Sequence, residues 1–162
     1  MTRDMRALLD EMVSEPDTEN HGARLRVLAR EFPHTIDILQ SSQPRESYNC
    51  VLHALGLHDY EVNIPTWYAK TGFVEFLIGN HQLVSCAPRA SAIVAWSYGG
   101  RIKHVGRLLS PIRAVSKWGT GLLFAHGLNE VPERYGNVSG FYAPIDPALA
   151  YKYLESFLSP IQ

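Results

Sequence analysis

Residues 91–109 read SAIVAWSYGGRIKHVGRLL, two β-rich runs around the pair Gly99-Gly100, and that pattern is the signature of a β-hairpin. Downstream, IRAVSKW (112–118) and TGLLFAH (120–126) continue in the same manner, with Gly119 and Gly121 marking the next turn and VSGFY (138–142) as the last strand. An antiparallel sheet of four or five short strands follows. Upstream, Asn49 precedes CVLHAL and Gly56 follows it, an N-cap and a C-terminal glycine around a short helix whose first residue is Cys50. A second helix is expected over 65–78, opened by Pro65, with Trp67, Phe73, Phe76 and Leu77 on one face.

Towards the N-terminus, Met5, Leu8, Leu9, Met12 and Val13 share one helical stripe that ends by Pro16. Leu25, Leu28, Ala29 and Phe32 repeat the spacing before Pro33 closes the segment. Asp146 and Pro147 open a closing helix through AYKYLESFL. The expected fold is therefore α+β, a single domain over 1–162. It has a helical leading segment (1–47), a core (48–142) and a closing helix (143–162).

The chain has 162 residues, 46% of them hydrophobic, which suffices for one core and falls short of two. A net charge of −1 excludes nucleic acid or an anionic membrane as a partner held by overall charge. Two cysteines, Cys50 and Cys86, form neither a disulfide framework nor a zinc-ligand spacing, and no metal or cofactor is expected. No stretch approaches the ~18 apolar residues of a membrane span, and MTRDMRALLDEM is no cleaved leader, so a cytoplasmic protein is expected, with export by a signal-independent route left open.

Cysteine reactivity depends on the thiolate fraction, which a helix N-terminus and a nearby imidazole both raise. Cys50 is placed for the first effect, and His104, just inside the second strand of the hairpin, for the second. A Cys50–His104 dyad is the reading that joins them. Between Glu75 and Glu130 there is no acidic residue, while Arg89, Arg101, Lys103, Arg107, Arg113 and Lys117 all fall in that window. These cations point to an anionic substrate or partner, although alternation puts Lys103 and Arg107 on the face opposite His104.

A Cys opening a helix, then AIVAWSY, a glycine turn and KHVGRLL resembles the papain-like bacterial cysteine hydrolases of the NlpC and CHAP types. VSKWG (115–119), FAH (124–126) and EVPERYG (130–136) look like a bacterial family marked by an Asn-Cys helix motif and a Ser-Lys-(Trp or Leu)-Gly motif. The resemblance covers about residues 47–142. It implies a papain-like fold in which Cys50 attacks an amide carbonyl in a peptide, a peptidoglycan stem, a glutamine side chain or a target protein. His104 would take the proton. Backbone N–H groups at the start of the Cys50 helix, helped by Asn49, would bind the oxyanion, and Ser116 or His126 would orient the imidazole. Lys117 and Trp118 would border the substrate. Two departures stand out: no carboxylate lies near His104 in sequence, leaving Ser116, His126, Asn129 or Glu130 for the third role, and APRASAIVAW lacks the Gly-Asp pair of the amidases.

Blander assignments stand beside these. Cys50 in an apolar helix also reads as a packed small hydrophobe, and Cys86 as structural. His53 fills space one turn from Cys50, and His21, His34, His58 and His81 are expected at the surface. His126 is either a satisfied core histidine or a partner of His104. Trp96, Trp118, Tyr98 and Tyr135 are expected in the core or a cleft wall. From another functional class, the same fold would serve as a binding module with a degenerate dyad, recognising a protein or an anionic partner.

Overall fold

The computed structural model describes residues 3–14, 18–40, 49–58, 70–118 and 122–158. Its described elements, in chain order, are α1 (Arg3–Ser14), α2 (His21–Glu31), β1 (Asp37–Gln40), α3 (Cys50–Ala54), α4 (Thr71–Gly79), β2 (Ile93–Tyr98), β3 (Arg101–Ser110), β4 (Arg113–Lys117), β5 (Leu123–Gly127), β6 (Asn137–Tyr142) and α5 (Pro147–Leu158). The fold is α+β. The strands form one antiparallel sheet in the order β1-β5-β4-β3-β2-β6, one strand more than expected, because Asp37–Gln40 adds an edge to β5.

Gly99 and Gly100 both take positive φ, +61° and +77°, the conformation that a two-residue hairpin turn of matching twist requires. The hairpin carries a bulge: Trp96 faces His104 but Ser97 faces Ile102, so Lys103 is the extra residue. Beyond the bulge, alternation sorts the side chains. Ile93, Ala95 and Val105 join α3, α4 and α5 in one core cluster. Val94, Trp96, Leu108, Ala114 and Phe124 join α1 and α2 in another, on the opposite face of the sheet.

Each helix buries the stripe its spacing marks out. Met5, Leu9 and Met12 of α1 are buried, as is Leu25 of α2. In α4, Phe73, Val74 and Leu77 are buried, and the Phe73 and Phe76 rings meet Phe157 of α5 at 5.4 and 5.0 Å. The helix expected to open at Pro65 instead starts at Thr71, because Lys70 before it is extended; Pro65 and Trp67 lie outside the described residues. Arg6 fastens α1 to the turn before β6: Nε donates to Val131 O and Nη1 to Asn137 Oδ1, both at 3.0 Å, and Nη2 to Gly136 O and, more weakly, Pro132 O. Arg134 returns the contact, with Nε on Asp10 Oδ1 at 2.6 Å.

Two surface expectations and one core expectation are corrected. His21 is buried at the start of α2, and His34 is half-buried, its Nε2 2.8 Å from Leu25 O. Tyr98, at the tip of the hairpin, is 70% exposed and belongs to neither core nor cleft wall. Among the described residues no helix is long and apolar enough to cross a membrane.

Candidate functional site

Asn49 is extended, and its Oδ1 accepts the Leu52 N–H at 3.0 Å, so α3 begins at Cys50. Asn49 is therefore a cap, with its oxygen committed to the helix. Gly56, at φ +75°, lies just past the C-cap. Cys50 is a buried free thiol, towards which the backbone N–H groups of Val105, Val51 and Cys50 itself point. The β3–β4 ladder runs from Ser110↔Arg113 to Arg107↔Val115. Leu108 N–H turns to β2, where it meets Ala92 O at 2.8 Å, so by alternation Val105 turns its N–H towards β4. The sulfur takes that donor and sits at the β3–β4 seam. Burial nevertheless pushes the thiol up to about 11, because the three donors offset only part of the cost of charging a buried sulfur.

His104 is on the other face. It pairs with Trp96, its ring lies parallel to Tyr135 at a centroid distance of 4.0 Å, and it meets Trp96 at 5.2 Å. Among the described residues neither of its ring nitrogens has a hydrogen-bond partner, although the residue is wholly buried. Burial first, then His126 and His53, holds the imidazole well below its usual pKa. The expected Cys50–His104 dyad is thus not assembled: a neutral thiol and a neutral imidazole occupy opposite faces of one strand.

The expected orienting residues are engaged with each other. His126 Nδ1 lies 2.8 Å from Gly127 O, a carbonyl that only accepts, so that nitrogen carries the proton and Nε2 accepts from Ser116 Oγ at 2.6 Å. Ser116 Oγ in turn accepts the Trp118 indole N–H at 3.2 Å. His126 is a satisfied core histidine, and neither it nor Ser116 orients His104. Trp118 is buried against Phe124, with ring centroids 4.2 Å apart, so SKWG forms no described groove rim. Glu130 does not serve His104 either: its carboxylate accepts the N–H groups of Gly127 at 2.7 Å and Thr35 at 2.8 Å.

Lys117 is 1% exposed. It follows Val115 by two residues, and Val115 pairs with Arg107, whose Nη1 reaches Ala54 O on α3 at 3.2 Å. Lys117 therefore belongs to the α3 face with Cys50. Three other cations of the acid-free window have partners: Arg101 meets Glu75 at 2.9 Å and Arg113 meets Asp37 at 3.0 Å, both from outside the window, and Arg107 meets the carbonyls of Ser91 and Ala54. Lys103 is solvent-exposed as expected, and the case for an anionic partner loses most of its charges. No group of three or more His, Cys, Asp or Glu among the described residues converges as a metal site.

Residues 39–143, well over half of the chain, match the family model described as domain of unknown function DUF7689. The chain belongs to the DUF7689 family. No curated protein and no solved structure matches it. The DUF7689 region runs from the end of β1 past β6 and contains Asn49, Cys50, His104, Ser116, Lys117 and His126. The helices α1, α2 and α5 lie outside it. The Val105 N–H that meets the sulfur is the participant that sequence reasoning missed, because it is a backbone group. Tyr135 is buried, as expected of a core or cleft-wall residue, but its stacking on His104 had no local signal.

Proposed function

We propose that the domain is a papain-like cysteine hydrolase or acyl-transfer domain, with Cys50 as the nucleophile that attacks an amide carbonyl. The observation that carries this reading is the seat of the sulfur. Cys50 opens an Asn49-capped helix, and N–H donors from both the helix and β3 converge on it. Such donors favour a thiolate, and the same set suits the oxyanion of a tetrahedral intermediate. His104 has no part as base from where it stands. A deprotonated thiol needs a positive group on the α3 face.

A second reading, a papain-like binding module with an inert thiol, draws support from the stacking of His104 on Tyr135 and from the burial that disfavours a thiolate. One measurement separates the two: the rate of iodoacetamide labelling of Cys50 against pH, in a Cys86→Ser background, with and without His104→Ala. The hydrolase reading expects labelling to titrate below ~8.5, the value of an ordinary thiol, and to survive the loss of His104. Labelling that appears only near pH 11, or not at all, would sink it and leave the binding module.

A further inference from the structure

Met5 at the start of α1, Phe32 and Thr35 after α2, Ile112 between β3 and β4, and Leu128 and Glu130 after β5 meet around a cleft of about 530 Å³, within the range of roughly 300–1,000 Å³ usual for small-molecule sites. The cleft adjoins the core cluster of α1 and α2, on the opposite side of the sheet from Cys50. Its walls are mostly apolar, and Ile112 is 76% exposed. Among the described residues, Glu130 is the one charged group in the lining, and it is only 9% exposed.

A carboxylate taken out of water needs donors and, as a rule, a counter-charge. Glu130 has the donors: Oε1 takes the Gly127 N–H and the Thr35 hydroxyl, and Oε2 takes the Thr35 N–H. Burial raises its pKa, but these bonds outweigh burial and hold the group below the usual carboxylate range, so it is ionised at neutral pH. Among the described residues it forms no ion pair. Arg113 gives Nη1 to Thr35 Oγ1 and Nη2 to Asp37, and His34 spends its ring nitrogens on Leu25 O and the Ile36 N–H. A carboxylate accepts about four hydrogen bonds, so these donors leave Oε2 with a lone pair to spare. A metal ion would want several oxygens and finds one carboxylate in an apolar wall. We propose that the cleft binds a small organic amine, its protonated nitrogen donating to Glu130 and its apolar body lying against Met5, Phe32 and Leu128. This site stands apart from the reading of Cys50 as nucleophile.

The test follows the methyl signals of isotope-labelled methionine by NMR while hexylamine, 1-hexanol or hexanoate is added near neutral pH. Met5 lies in the cleft, whereas Met12 lines a separate groove between α1 and α2 and serves as the control; Met5→Leu assigns the signal. Hexylamine should shift Met5 and leave Met12 in place. It should bind roughly 10-fold or more tighter than hexanol, the gain expected of a hydrogen bond to a charged group, with hexanoate weakest. Glu130→Gln should bring the amine down to the level of the alcohol, and where that variant fails to fold, the order of the three ligands in the parent decides. A Met5 signal that ignores hexylamine, equal affinity for amine and alcohol, equal shifts at Met5 and Met12, or a folded Glu130→Gln that keeps the preference overturns the proposal. So does a Met5 signal that moves with protein concentration alone, since a second copy of the chain would then occupy the cleft.

Discussion

His104 and His126 stay neutral because burial makes their charged forms expensive, and the consequence is a stability that depends on acid. The carbonyl of Gly127 and nearby Glu130 act in the opposite sense on His126, yet its pKa falls to about 4. An unfolded histidine titrates near 6.5, so between that value and about 4 the unfolded chain binds the extra proton and the folded chain does not. Stability is complete above pH 6.5 and is lost as pH falls towards 4, by about 3 kcal/mol for His126 alone. Urea unfolding followed by circular dichroism between pH 7 and 4 should show the midpoint falling over this window. His104→Phe, which keeps a ring against Tyr135 and deletes two unpartnered nitrogens, should shrink that fall without lowering the midpoint at pH 7. A midpoint flat from pH 6.5 to 4 would contradict both assignments.

At the level of elements, α3 is a five-residue helix, too short to form by propensity, and it depends on its cap and on its seat against β3. Asn49→Ala should cost about 1 kcal/mol, read as a drop in the urea midpoint, with Asn49→Asp close to neutral. An unchanged midpoint in Asn49→Ala would mean that the seat alone holds the helix. This cap, the Cys50 start and the Gly99-Gly100 turn were legible because each depends on neighbours in sequence. β1 was not, since its four residues owe their pairing to β5, far along the chain. Nor was the separation of Cys50 from His104. Alternation relates residues within a strand, and it says nothing about which face a distant helix will cover. The acid-free window misled for the same reason, since Glu75 and Asp37 reach in from outside it.

For the molecule as a whole, the region that defines the family is smaller than the unit that is packed. Met5, Leu9 and Met12 lie in one cluster with Trp96, Phe124 and Tyr135, and Ala150 and Leu154 of α5 lie with α3 and α4. A fragment of residues 39–143 would expose both faces of the sheet. It should lack a cooperative urea or thermal transition where the full chain has one, and a sharp transition in the fragment would show the outer helices to be dispensable. The Arg6 clamp has a different kind of consequence, for how such sequences drift. Three of its acceptors are main-chain oxygens, at Val131, Pro132 and Gly136, and at Gly136 a Cβ would come within 1.9 Å of Ser97 O. A glycine is therefore required 130 residues after Arg6 by its closeness to Ser97, and the arginine rests on the backbone course that this glycine permits. What the guanidinium reads is chiefly the course of the chain, and Asn137 is the one side chain among these acceptors.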